Sequence, residues 1–360
     1  MIPYKYYMDI RNTDIKKLDA LVSEASAIVI TAHIHPDGDA AGSTNALLAY
    51  LVGRGKENVR IIYPEPLADT ISFISAATER TLIMDAVTAP DGCRSAVGAA
   101  DLIFCLDCNS FTRTGPLEDM MRSSSARKVL IDHHLNPDTE AYDLVFSTPQ
   151  VSSACELLYN ILLAMPEVEG DAGKLPKASA DALMTGMTTD TNNFANSVYP
   201  STFAMASGLL DAGVDRDAIL QKLFNEYREN RLRMMGWLLY ENMRITEEGV
   251  AYMVVTSGIA EKFGIMEGET EGFVNLPLAI GRVKMSLFLK IDGEGFYRVS
   301  VRSKKGYSSN LCASRYFHGG GHENASGGRL FFPQDIPSPD AAAEYIEAVT
   351  DKLFKEEGYV

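Results

Sequence analysis

The chain has 360 residues, of which 46% are hydrophobic and 22% charged, and its formal net charge is −15. That length exceeds one typical domain and predicts two, with ample apolar material for their cores. The acidic balance excludes a protein that coats long nucleic acid, because such a protein needs a basic face. The N-terminal stretch MIPYKYYMDIRNTDIKK has no apolar h-region. No uninterrupted apolar run approaches the ~20 residues that cross a bilayer. Five cysteines, an odd number and scattered, suit a reducing compartment better than a disulfide framework. Cys105 and Cys108 form a single CxxC with no second pair, and are expected to be buried small hydrophobes. The expectation is a soluble, cytoplasmic protein.

In chain order, Ile15, Leu18, Leu21 and Val22 recur at helical spacing and predict a helix over 13–25. SAIVITA at 26–32 reads as a buried strand, and 40–52 as a helix ending near Gly53 and Gly55. Further strands are predicted at 58–63, 101–107 and 128–132, and helices at 178–188 and 201–213. Short apolar strands alternating with helices indicate an α/β unit with a mostly parallel sheet covered on both faces. The charged, helically spaced stretch at 215–244 predicts a helical linker. Beyond it, strand-like runs at 250–256, 283–290 and 296–302 describe a smaller α+β unit, the last two runs joined through an Asp292-Gly293 turn. The resulting division is 1–213 for the first domain, 214–245 for the linker and 246–360 for the second domain.

The predicted strands end in candidate ligands. TAHIHPDGDAAG at 31–42 places His33, Asp37 and Asp39 within seven residues. The next two strands end in Asp107 and in Asp132-His133-His134, and Asp190 lies in GMTTDTNNF. In open parallel sheets, sites form at the carboxyl ends of strands, so these segments should converge. All six histidines fall in three short segments, 33–35, 133–134 and 318–322, whereas casual histidines would scatter. Carboxylates mixed with imidazole suit divalent cations such as Mn, Fe or Zn. Near the C-terminus, HGGGHENASGG at 318–328 holds five glycines, which can let backbone N–H groups cradle an anion. Eight basic residues stand against two acidic ones, Asp292 and Glu294, between Arg282 and Arg315, which predicts a small phosphate-binding patch.

HIHPDGDAAGS, the strand ending in Asp107, Asp132-His133-His134, TTDTNNF and HGGGHENASGG, in that order, resemble the DHH phosphoesterases that carry a DHH-associated C-terminal domain of the first type. That group includes bacterial bifunctional oligoribonuclease/PAP phosphatases and cyclic-di-AMP phosphodiesterases. The resemblance covers nearly the whole chain. It implies one metal on His33, Asp37 and Asp107, and a second on Asp39, Asp107, His133 and Asp190, with Asp107 bridging. Manganese is the metal it implies. His134 then faces the substrate phosphate, and Asp132 orients the site by pairing with an imidazole. In the C-terminal domain, Arg302, Gly319, Gly320, Gly321, His322 and Ser326 grip the nucleotide across an inter-domain cleft. Arg302 offers the bidentate phosphate geometry that lysine lacks.

The implied activity is two-metal, hydroxide-driven hydrolysis of short oligoribonucleotides (nanoRNA) and 3′-phosphoadenosine 5′-phosphate (PAP). Cyclic-di-AMP or linear pApA are the alternative substrates. A pyrophosphatase, a RecJ-like exonuclease and a non-catalytic nucleotide sensor rank lower. No long duplex and no membrane are expected as partners, and the resemblance suggests a homodimer. Three positions depart from the family pattern or fall outside it. His35 stands where relatives often carry Asn or Arg, and reads equally as substrate-proximal or structural. His318 reads as a turn residue. Asn193 stands where some relatives carry an Arg near the substrate, which leaves the substrate preference open.

Overall fold

The computed structural model describes residues 10–76, 82–293 and 295–359. Part of the N-terminal stretch read above and Glu294 lie outside them. The chain forms two compact units, Met1–Glu226 and Tyr227–Val360. Of the stretch read as a linker, Arg216–Phe224 belongs to the first unit and Glu229–Trp237 to the second.

The first unit has six strands: β1 (Ile28–Thr31), β2 (Val59–Tyr63), β3 (Ile83–Asp85), β4 (Leu102–Leu106), β5 (Arg127–Asp132) and β6 (Leu144–Ser147). Its helices are α1 (Asn12–Glu24), α2 (Gly38–Gly53), α3 (Asp69–Ser72), α4 (Pro90–Ala99), α5 (Glu118–Ser123), α6 (Ala154–Leu163), α7 (Lys177–Asp190), α8 (Pro200–Asp211) and α9 (Arg216–Phe224). The strands pair in the order β3-β2-β1-β4-β5-β6, every pair parallel. Successive strand residues point to opposite faces, and both faces are dry. Ile28 and Ile30 pack with Ile15, Leu47, Leu158 and Leu183 from α1, α2, α6 and α7. Val29 packs with Cys93, Val97 and Met121 from α4 and α5. That two-sided burial is why these strands read as continuous apolar runs rather than alternating ones.

The strand order reverses direction between β1 and β4. At such a switch point the loops leaving the two strands part company and leave a crevice at their carboxyl ends. His33 follows β1 and Asp107 follows β4, so the fold places them on either side of that crevice.

Helix α7 reaches the crevice by packing unusually close to α2. A Cβ on Gly38 would sit 2.3 Å from Thr189 Oγ1, and one on Gly186 would sit 2.3 Å from Cys155 Sγ and 3.2 Å from Asp39 Cα. No side chain fits at either place, and the close approach brings the last residue of α7, Asp190, alongside the start of α2.

The second unit contains β7 (Arg244–Ile245), β8 (Val250–Val255), β9 (Met285–Asp292), β10 (Phe296–Ser303), β11 (Gly320–Gly321) and β12 (Ala325–Phe331), with helices α10 (Glu229–Trp237), α11 (Ser257–Phe263), α12 (Ser309–Tyr316) and α13 (Ala342–Glu356). The sheet order is β11-β12-β10-β9-β8-β7, mixed because β8 and β9 run parallel. One face buries Val299 and Val301 against Phe317, Ile346 and Phe354; the other buries Met253 and Phe288 against Met234 and Phe273. The segment HGGGHENASGG, expected to be a glycine-rich loop, is instead largely strand: it forms β11, a turn at His322–Ala325 and the start of β12. Three of its glycines answer to packing. A Cβ on Gly319 would lie 1.9 Å from the Gly327 carbonyl oxygen, one on Gly321 would lie 2.7 Å from that of Ala325, and one on Gly328 would lie 2.2 Å from that of Phe317.

Gly186→Ala should force α7 away from Cys155 of α6 and from the start of α2. Overpacking of this kind costs about 1–3 kcal/mol, to be read as a lowered midpoint in urea unfolding. An unchanged midpoint would show that the helices can separate freely.

Candidate metal centre

The segment after β1 carries three of the predicted ligands because of how α2 begins. Asp37 is the N-cap: its Oδ1 accepts from the backbone N–H of Asp39 at 3.0 Å and of Ala40 at 3.1 Å. This satisfies two of the donors that every helix start leaves open, and it holds the carboxylate at the positive end of the helix. Asp39 follows in the first turn. Its Oδ2 accepts from Ala154 N at 2.6 Å and its Oδ1 from Cys155 N at 3.0 Å, so the start of α6 grips the same carboxylate from the opposite side.

Asp107 occupies the position right after β4 with φ of 51°, a left-handed conformation that a non-glycine residue adopts only when its surroundings enforce it. Its two oxygens face different partners. Oδ2 lies 3.3 Å from His33 Nε2, and Oδ1 lies 3.4 Å from His133 Nε2. On the first side Asp37 Oδ1 stands 3.9 Å from His33 Nε2. On the second side Asp39 Oδ2 and Asp190 Oδ2 stand 3.9 and 3.8 Å from His133 Nε2. His33, Asp37 and Asp107 thus form one cluster of donor atoms within 4.8 Å, and Asp39, Asp107 and His133 a second that shares Asp107.

The imidazole orientations have identifiable causes. His33 Nδ1 donates to the Ile34 carbonyl at 2.7 Å, which turns Nε2 toward the carboxylates. Asp132, wholly buried at the end of β5, was expected to orient a metal-bound histidine; it pairs instead with the neighbouring His134, through Nδ1 at 2.8 Å and the backbone N–H at 3.1 Å. His35 has φ of 56° and bonds Glu65 at 2.6 Å, tying this segment to the loop after β2. Asn193 accepts from the Arg216 guanidinium, whose central carbon lies 5.5 Å from the centre of the Phe194 ring. A cation therefore stands beside the position where the motif lacks one.

The electrostatics describe a pocket with more negative charge than its own residues neutralise. Burial lowers the affinity of His33 for a proton, yet Asp107 and Asp37 outweigh it and push the pKa up to about 9. For His133, burial is likewise outweighed, by Asp107, Asp190 and Asp39, and the pKa is pushed up to about 10. Burial and the charges of Asp107 and Asp190 hold Asp39 well above the usual carboxylate range, despite its two backbone donors. Burial would raise Asp107 as well, but contacts with His133 and His33 hold it well below that range. Asp107 Oδ1 is buried and accepts no hydrogen bond among the described residues. An orphaned carboxylate oxygen between two imidazoles, in a surplus of negative charge, fits a divalent cation on each side.

In the second unit, the sheet brings Arg302 opposite Ala325, Val301 opposite Ser326, and Gly321 opposite Ser326. The Arg302 guanidinium donates to the Ser326 carbonyl at 3.2 Å, and the Ser326 hydroxyl to that of His322 at 2.7 Å. Gly320 has nothing within 4 Å of where a Cβ would stand, so packing does not require its lack of a side chain. His318, at φ of 47°, bonds Asp335 at 2.9 Å and is a turn residue. Folding neutralises three of the eight basic residues counted in the predicted patch. Lys290 and Arg298 pair with Glu267 at 2.7 and 2.8 Å, Arg298 also with Asp292, and Arg315 with Glu357 at 2.7 Å. Glu267 and Glu357 lie outside the counted window, which is why a linear count missed them.

Two known sequence families match this chain: the DHH family, N-terminal domain, over residues 27–187, and the DHHA1 domain over residues 247–352. A crystal structure of an exopolyphosphatase-related protein from Bacteroides fragilis is 33% identical, covers 97% of this chain and 98% of its own, and superposes with a TM-score of 0.86. The chain belongs to the DHH family. As a DHH-family protein it is a hydrolase acting on phosphoester bonds and depends on divalent metal. The bifunctional oligoribonuclease and PAP phosphatase of Thermus thermophilus is 28% identical over 93% of this chain and 93% of its own length. The cyclic-di-AMP phosphodiesterase of Geobacillus thermodenitrificans is 24% identical over 93% of this chain but 49% of its own. Among the described residues of this DHH-family chain, no helix is long and apolar enough to cross a membrane.

Divalent cation should stabilise the first unit, because only the folded chain assembles these donors. At a free concentration about 100-fold above Kd the gain is about 2.7 kcal/mol per site, seen as a rise in melting temperature that EDTA reverses. No shift with Mn²⁺ or Mg²⁺ would overturn the metal centre.

Proposed function

We propose that this protein hydrolyses short oligoribonucleotides and 3′-phosphoadenosine 5′-phosphate with two divalent cations, of which Mn²⁺ suits the donors best. The carrying observation is the division of Asp107, one oxygen toward His33 and the other toward His133. On this reading His33, Asp37 and Asp107 hold one cation, and Asp39, Asp107, His133 and Asp190 hold the other. When bound, such a pair polarises a phosphoryl group and lowers the pKa of water.

The chain's own groups do the rest. The start of α2 and the start of α6 hold Asp37 and Asp39 in place and aim them. Asp132 fixes the ring of His134, which contacts the scissile phosphate. In the second unit Arg302, Gly319, Gly320, Gly321, His322 and Ser326 take up a phosphate of the substrate. Of the three glycines only Gly320 is free of a packing reason, so it is the place where a ligand comes closest to the backbone. A net charge of −15 disfavours long polynucleotides and is consistent with short substrates. Five cysteines, all free and all buried, accord with work in a reducing cytoplasm.

Cyclic-di-AMP or linear pApA is the second reading, favoured by the similarity of 93% of this chain to a cyclic-di-AMP phosphodiesterase. A turnover panel with Mn²⁺ on PAP, a short RNA, pApA, cyclic-di-AMP, pyrophosphate and polyphosphate separates the readings. Release from PAP and short RNA at rates well above the others is the expected result. Saturable nucleotide binding with no turnover would make the protein a sensor instead.

His133→Ala and Asp107→Ala should each abolish turnover by removing a cation ligand, and near-normal rates would sink the assignment. Arg302→Ala and Gly320→Ala should raise KM at least tenfold while bound metal, measured by atomic emission, stays constant. Loss of metal in either variant would contradict the division of roles between the units.

A further inference from the structure

Glu156 is wholly buried in the first turn of α6, and nothing above assigns it a task. A carboxylate taken out of water has to be compensated, and removing its partners is costly. Three donors converge on its Oε2: the backbone N–H of Ser152 at 3.0 Å, the hydroxyl of Ser152 at 2.5 Å and the hydroxyl of Thr202, in α8, at 2.7 Å. Its Oε1 accepts nothing among the described residues. Capping alone does not explain this arrangement. Ser153 already caps α6, its hydroxyl accepting from Glu156 N at 3.0 Å. Glu156 reaches one residue further back and fixes Ser152, outside the helix, to α6 and α8.

What that fixes is the direction in which the chain runs into Ala154 and Cys155. The N–H groups of these two residues have no partner inside the helix, and both are spent on Asp39. We propose that Glu156 is a positioning residue of the metal centre. It clamps the start of α6 so that the two N–H groups hold the Asp39 carboxylate in the orientation that ligates the second cation. The inference rests on the reading of Asp39 as a ligand given under Proposed function.

Mn²⁺ binding to the full chain, followed by the electron paramagnetic resonance of the free ion, tests it. In Glu156→Gln the amide oxygen can accept the same three donors, so both ions should bind within about threefold of the wild type. Glu156→Ala leaves those donors without an acceptor. One ion should bind normally and the other 10–100-fold more weakly, the usual cost of losing a group that orients a ligand. Glu156→Ala that is folded by circular dichroism and binds both ions as the wild type does would overturn the proposal. Should Glu156→Ala not fold, Thr202→Val removes one donor to Glu156, together with the acceptor of the Tyr199 N–H at the start of α8. It should weaken the same ion several-fold, and unchanged binding of both ions would again overturn the proposal. Wild-type protein that binds fewer than two ions, or Asp39→Asn that binds both normally, would count against the ligand reading itself.

Discussion

Mutual repulsion among clustered carboxylates is the constraint on which the first unit depends. Two unit charges about 4 Å apart repel by about 4 kcal/mol at an effective dielectric near 20. Asp37 and Asp107 bring ligand oxygens within 4.8 Å of one another beside His33, Asp39 and Asp107 do so beside His133, and Asp190 stands 3.8 Å from His133 Nε2. A chain built only for stability would separate them. Here two helix starts, a left-handed residue and a pair of helices packed too closely for side chains all serve to hold them together. Each backbone donor returns about 1.5–3 kcal/mol as a hydrogen bond to a charged group, which offsets the repulsion without cancelling it. The residue of that imbalance is visible in the protons drawn onto His33 and His133. A cation on each side of Asp107 completes the compensation.

Much of this was legible in the residue order. Apolar runs at 26–32, 101–107 and 128–132 are strands because both faces of a parallel sheet are dry, and the charged residues that end them had to lie at one rim. The clustering of the histidines marked the same places. Three features were not legible. Strand order is a property of pairing, so nothing local placed β1 beside β4 and made their ends a crevice. The grip of α6 on Asp39 joins residues 115 and 116 positions apart through backbone N–H groups, which carry no side-chain signature. Helix α6 itself is apolar nearly all round, and its start, SSA, names a cap without naming what the cap is for.

The second unit shows the opposite failure. Its glycine-rich segment looked like a flexible cradle, because composition cannot distinguish a glycine that must accept a ligand from one that must accept a neighbouring strand. Gly319, Gly321 and Gly328 are of the second kind, and Gly320 alone has open space where a Cβ would stand. Linear counting of charge overstated the patch for a similar reason: Lys290, Arg298 and Arg315 find carboxylates that are distant in sequence and adjacent in space.

The parallel sheet also sets what a cation needs in order to bind. Parallel neighbours cannot be joined by a tight turn, so β1, β4 and β5 are linked only through long crossovers. Asp190 sits at the end of a helix packed against both α2 and α6. The donors come from four separate stretches of the chain, so a cation meets its full set only in the folded first unit. Metal supply thereby bears on how much of that unit stays folded, as well as on the activity of finished chains.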